Sequence, residues 1–144
     1  MLKVRDIMSN KVVSVLPHTP ITEVAYQMKM YDTPILAVCD NQGFCGIVHE
    51  RDIITGVVAA AADPVTQAAS TIMQSNCPII SPRADVWQAA RAMIDKITQF
   101  LPVVEKRRLV GVLTLDDLTE KRPELGAMVF GEIVRLRRQK KIGV

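Results

Sequence analysis

The chain has 144 residues, 49% of them apolar and 23% charged, and a formal net charge of +3. That length allows one sizeable core, or two small halves that share one. No apolar run approaches the roughly 20 residues that span a bilayer, and Met1-Leu2-Lys3-Val4-Arg5-Asp6 lacks the apolar core of a secretory signal, so a cytoplasmic location is expected.

Taken in order, Val12 to Leu16 reads as a short strand stopped by Pro17. Thr19 can cap the next helix with Pro20 at its first position, and Ile21, Val24, Ala25 and Met28 then share one helical face. Tyr31-Asp32-Thr33-Pro34 ends that helix, because a residue before proline avoids helical angles. Ile35 to Cys39 and Phe44 to Val48 form a hairpin around Asn41-Gln42-Gly43. A second helix is expected from Asp52 to the break at Asp63-Pro64. The order then recurs. Cys77 to Ile80 is a strand that Pro78 keeps short, and Asp85 with Gln88 forms the reciprocal cap of a helix using Val86, Ala89, Ala90, Met93 and Ile97. Phe100 to Val104 and Leu109 to Leu113 make a hairpin around Lys106-Arg107, and a closing helix from Asp117 is interrupted by Pro123. Leu125 to Lys141 reads as a separate helix with no counterpart after the first repeat.

Laid over each other at a shift of 65 with no gap, Val4 to Ile53 and Ala69 to Leu118 share ten identities in fifty positions. Among them are Met8/Met73, Pro17/Pro82, Met28/Met93, Gly46/Gly111 and Asp52/Asp117. The chain is therefore a duplicated β-α-β-β-α unit with a C-terminal helix, an α/β (α+β) fold divided as residues 1–62, 63–122 and 123–144. Some fifty residues is marginal for an independent fold, so an approximate two-fold relation between the units is expected.

Gly111-Val112-Leu113-Thr114-Leu115-Asp116-Asp117 joins an apolar strand end to a hydroxyl and a carboxylate three residues apart. Gly111 permits close backbone approach. A carboxylate can accept both hydroxyls of a ribose, and a Thr hydroxyl beside free helical N–H groups can meet a phosphate. The same two aspartates suit plain helix capping as well. Cys39, Cys45 and Cys77 lack Cys-x-x-Cys spacing, and Val104 and Val110 replace the first two in the second repeat, which reads as packing rather than a disulfide or metal pair. His18 and His49 have no partner at ligand spacing, so no metal is expected. No catalytic triad, Walker loop or dinucleotide glycine fingerprint is present, and an enzyme is not expected.

Val4-Arg5-Asp6-Ile7-Met8, Pro17, Phe100-Leu101-Pro102-Val103-Val104 and the twice-repeated Gly-x-x-x-x-x-Asp resemble the tandem CBS domain, or Bateman module. The resemblance covers residues 1 to about 120. It implies a regulatory module that senses an adenosine-containing ligand (AMP, ADP, ATP or S-adenosylmethionine) in clefts between the repeats and signals to a partner. Carried over by motif, one site would use Thr114 and Asp117 with Val13, Pro34 and Ile35. The other would use Asp52 with Cys77, Gln99 and Phe100. The alternative is an association module whose clefts are vestigial.

The sequence departs from the family pattern where phosphate would sit. His49 replaces the hydroxyl of the first repeat, although an imidazole can donate to phosphate, better once protonated. Arg51 beside it would attract a polyphosphate, whereas its counterpart Asp116 beside Thr114 would repel one unless it points away. Residues 121–144 carry a charge of +5 on a body of −2. This segment reads first as an oligomer contact, then as a surface for an acidic partner, and last as a nucleic-acid contact, since no aromatics interleave its cations. Ala127, Met128, Phe130, Ile133, Val134 and Leu136 are expected to dock on the module or a second copy, and a homodimer interface is placed over Leu125 to Leu136, with Arg135, Arg137 and Arg138 at its rim.

Overall fold

The structure, a computed structural model, describes the backbone of residues 1–142 and the side chains of residues 1–140. Gly143 and Val144, the end of the expected C-terminal segment, lie outside the described residues. The elements run α1 (Val4–Ile7), β1 (Ser14–Val15), α2 (Ile21–Tyr31), β2 (Ile35–Asp40), β3 (Gly43–His49) and α3 (Glu50–Ile53), which continues as a π-helical turn over Ile54–Val58. A 3-10 turn at Ala69–Thr71 leads to α4 (Val86–Lys96), β4 (Phe100–Glu105), β5 (Arg108–Thr114), α5 (Leu115–Lys121) and α6 (Pro123–Ile142). Under the shift of 65, α2 falls on α4, β2 on β4 and β3 on β5 with identical bounds, and α1 falls on the 3-10 turn. Asp32 and Ile97, equivalent residues, both end their helices in the left-handed conformation. The duplication is thus a duplication of structure.

The chain divides into two compact units that interleave along the sequence. The first holds residues 12–77 and 107–109; the second holds residues 1–11, 78–106 and 110 onward. In the first, β1 runs parallel to β2, with Val15 opposite Val38, and β2 pairs antiparallel with β3 across an irregularity at Val38/Cys39. Val15, Val24, Met28, Leu36, Val38, Val48 and Ala69 form its core. In the second, the β4–β5 hairpin packs with α1, α4, α5 and α6 around Val4, Met93, Leu101, Val103, Leu113 and Leu118. Met28 and Met93 are core residues in both, as their helical spacing implies.

Each repeat sends its leading segment to the unit built from the other. In the second unit, Val4 N–H donates to Ala84 O at 2.8 Å, and Ser9 pairs with Val112. In the first, Ala69 N–H donates to Thr19 O at 2.8 Å, and Gln74 pairs with Ile47. These contacts are related by the same shift of 65. They explain the repeated glycine: a Cβ on Gly46 would stand 2.6 Å from Gln74 O, and one on Gly111 would stand 2.8 Å from Ser9 O. Only a bare Cα lets the arm lie that close to its strand.

Several expectations are corrected. The first strand shrinks to Ser14–Val15, and Cys77 to Ile80 is no strand at all: Ile80 makes a single bridge to Val103. Pro78, which has no N–H, cannot donate to a ladder there. Thr19 does not cap α2; its hydroxyl accepts from Leu16 N–H at 3.1 Å, and Pro20 is the extended residue before the helix. The helices expected from Asp52 and Asp117 begin earlier, at Glu50 and Leu115, so both aspartates are the third helical residue rather than the first. In the continuation of α3, Ala59 N–H donates to Ile54 O and Ala62 N–H to Val57 O, five residues back. The C-terminal helix is part of the second unit's own core: Leu125, Val129 and Ile133 are at most 1% exposed, packed with residues of α4 and α5. That corrects the placement of Leu125 and Ile133 at a partner interface. Met128 and Phe130 do remain exposed. Among the described residues no helix is long and apolar enough to cross a membrane.

Candidate functional site

In each unit the last strand runs straight into a helix, and the turn between them carries the repeated motif. In the second unit, Thr114 and Asp117 cap α5 reciprocally. Thr114 N–H donates to Asp117 Oδ2 at 2.9 Å, and Asp117 N–H donates to Thr114 Oγ1 at 3.1 Å. The start of β4 is tied to the same corner, since Leu115 N–H donates to Gln99 O at 2.9 Å. Phe100 follows, with its N–H and carbonyl both bonded to the Thr98 hydroxyl. Gln99, Phe100, Thr114 and Asp117 therefore meet. Among the described residues nothing donates to Asp117 Oδ1, so one carboxylate oxygen remains for an incoming hydroxyl. Asp116 is exposed.

The corner of the first unit follows the same plan with other atoms. His49 N–H donates to Asp52 Oδ2 at 2.8 Å, and His49 Nδ1 accepts from Arg51 N–H at 3.1 Å, so the imidazole does the capping that the Thr114 hydroxyl does elsewhere. Glu50 N–H donates to Pro34 O at 2.8 Å, and Ile35 stands opposite His49 in the sheet. Val13 lies one strand over, its carbonyl accepting from Ala37 N–H. Pro34, Ile35, His49 and Asp52 are thus brought together, with Arg51 exposed at the rim. Cys77 is at the end of this unit, a free thiol whose pKa burial pushes up.

Gln74 belongs to this corner and was not expected there. Its Nε2 donates to both Asp52 oxygens, each at 3.1 Å. The available signal was its position: it directly follows Met73, the counterpart of Met8, in the arm that reaches the other repeat. A cavity of about 590 Å³ opens beside the second corner, lined by Gln99, Asp116, Thr119, Glu120, Ala127 and Phe130 among others. Among the described residues no group of three or more His, Cys, Asp or Glu stands close enough to hold a metal ion.

The CBS domain family model matches this chain twice, over residues 4–59 and 69–124. Hypoxic response protein 1 of Mycobacterium tuberculosis (strain ATCC 25618 / H37Rv) is 29% identical over 131 residues, covering 90% of this chain and 92% of that protein. The crystal structure of Hypoxic Response Protein I with two coordinated zinc ions matches with a TM-score of 0.77 at 29% identity, over 84% of this chain and 99% of that one. The crystal structure of CBSX2 in complex with AMP matches with a TM-score of 0.76 over 87% of this chain and 98% of that one. At 18% identity, that last likeness is one of fold alone.

Proposed function

This chain belongs to the CBS domain family, which it carries twice, and from that premise we propose that it is a ligand-sensing regulatory module for an adenosine-containing nucleotide. Stand-alone proteins of this family are generally regulatory rather than catalytic. The observation that carries the ligand class is the Thr114–Asp117 corner. There a carboxylate held by one backbone N–H keeps its other oxygen for a ribose hydroxyl, and a side-chain hydroxyl stands three residues away. A protein of the same fold holds AMP, which supports the adenosine class without choosing among AMP, ADP, ATP and S-adenosylmethionine. Val13, Pro34 and Ile35, and likewise Cys77, Gln99 and Phe100, take their proposed role beside the base from the family resemblance alone. His49 and Arg51 are proposed to face the phosphate of any ligand that enters the Asp52 corner.

The module signals by its state of association in this reading. Trp87, Met128 and Phe130 are 52%, 42% and 55% exposed on α4 and α6, and such apolar bulk suits a homodimer or a protein partner. The same residues support the second reading, an association module that needs no ligand. Thermal shift of the full chain against AMP, ADP, ATP, S-adenosylmethionine and NAD(H) separates the two. Stabilisation by at least one adenosine ligand, growing with its concentration, is expected of a sensor. A flat response to all of them leaves the association module.

A further inference from the structure

The two corners share one backbone plan and differ in the side chain that the arm brings to the carboxylate. Gln74 exchanges backbone hydrogen bonds with Ile47 at 2.8 and 3.2 Å; Ser9 exchanges them with Val112 at 2.9 and 3.0 Å. The two arms therefore lie on their strands in the same register, and Gln74 and Ser9 project from equivalent backbone positions. Glutamine is long enough to reach the carboxylate of its corner, and its Nε2 meets both Asp52 oxygens at 3.1 Å. Serine is not; the Ser9 hydroxyl accepts from Lys11 N–H at 3.3 Å instead. Among the described residues Asp117 is left with one backbone donor, while Asp52 has a backbone donor and an amide that shares itself between its two oxygens.

A vicinal diol binds a carboxylate by donating two O–H groups to it. At Asp117 such a ligand adds hydrogen bonds to an oxygen that has none among the described residues. At Asp52 it must first remove an amide that already bonds to both oxygens, trading one set of hydrogen bonds for another. The displaced Gln74 amide loses its partner as well, which has its own cost. We propose that Gln74 acts as an internal substitute for ligand hydroxyls, closing the Asp52 corner so that the chain takes a single nucleotide, at Asp117. This rests on the reading of Asp117 as a ribose acceptor. Residue 74 is thus the specificity-determining position for the number of sites, and shortening it opens the second one.

Calorimetric titration of the full chain with AMP tests this through stoichiometry. Wild type is expected to bind one AMP per chain. Gln74→Ser, which copies the open corner, and Gln74→Ala are both expected to bind two. Neither variant removes the backbone pairing with Ile47, so the arm keeps its place. Gln74→Ser combined with Asp117→Ala should return to one AMP, now at Asp52. Two AMP per wild-type chain, or one AMP in both Gln74 variants, overturns the proposal. If wild type binds none while Gln74→Ser binds one, the gate stands and Asp117 loses its role. If neither binds, both fall.

Discussion

Asp117 has two roles that one substitution separates. Its Oδ2 closes the capping box with Thr114 N–H, while Oδ1 is left over. Asparagine keeps an oxygen for the cap but puts an NH₂ where a ribose hydroxyl must donate. Asp117→Asn should therefore keep its melting temperature and lose nucleotide affinity at least tenfold, because a hydrogen bond to a charged group contributes about 1.5–3 kcal/mol. Calorimetry and a thermal melt on the same variant check both; lost stability with full affinity would reduce Asp117 to a cap. The thiols give a pH prediction. Burial raises the pKa of Cys39 and Cys77 above the ordinary 9.0, and Cys45 shifts the same way, first by desolvation and then by its hydrogen bond to Asp40. The folded chain thus keeps protons that the unfolded chain releases near pH 9, so stability falls as pH rises through that range. Urea denaturation under reducing conditions at pH 8 and pH 10 should show the lower midpoint at pH 10. The Thr114–Asp117 pair was legible in the sequence because both ends lie within one turn and the motif recurs. Gln74 was not, because it reaches Asp52 across 22 positions, and no local spacing encodes that reach. His49 was legible as a departure, but its capping role depends on which ring nitrogen faces Arg51 N–H.

Among the elements, β3 and β5 depend on the absence of a side chain at one position each. Gly111→Ala sets a methyl 2.8 Å from Ser9 O, and Gly46→Ala sets one 2.6 Å from Gln74 O. Each is expected to cost about 1–3 kcal/mol by overpacking. Loss of protection at the Ser9 and Val112 amides, read by hydrogen exchange in Gly111→Ala, would place the damage at the arm. α6 carries more. Removing residues 123–144 takes Leu125, Val129 and Ile133 out of the core, at about 1.5–3 kcal/mol for each large side chain. That loss is comparable to the whole stability of a domain, about 5–15 kcal/mol. The shortened chain should lose the cooperative melting of its second unit by circular dichroism; an unchanged melt would make α6 dispensable. The α2, β2, β3 and α4, β4, β5 series could be read directly, since their apolar periods are clean and the Asp85–Gln88 cap is local. The burial of α6 could not. A stripe of Leu125, Val129 and Ile133 at helical spacing fits any apolar face, and only tertiary contact decides between its own unit and a partner. Nor does composition mark the π-turn after α3, where Gly56 passes so close to Ile72 that a Cβ would stand 2.9 Å from Cγ2.

For the molecule as a whole, the proposed homodimer turns on what α6 still shows to solvent. With its apolar stripe turned inward, Met128 and Phe130 remain, flanked by the Glu132–Arg135 ion pair. Exposed ion pairs of this kind contribute little, so the aromatic and thioether groups are the ones to remove. Phe130→Asp with Met128→Asp is expected to halve the mass measured by light scattering and leave the thermal melt of the units in place. A mass that does not change would move the interface elsewhere or remove it. Homology of the two repeats was plain in the sequence, and their exchange of leading arms was not, because a shift of 65 relates equivalent residues without saying which copy each one touches. That exchange has a consequence in time. Gln74 follows Ile47 by 27 residues, but Ser9 precedes Val112 by 103. At a synthesis rate of about 5–20 residues per second, the N-terminal arm leaves the ribosome some 5–20 s before its strand exists. The first unit can assemble while translation proceeds. The second must wait for nearly the whole chain, and until then Val4 and Ile7 are apolar groups in search of a surface.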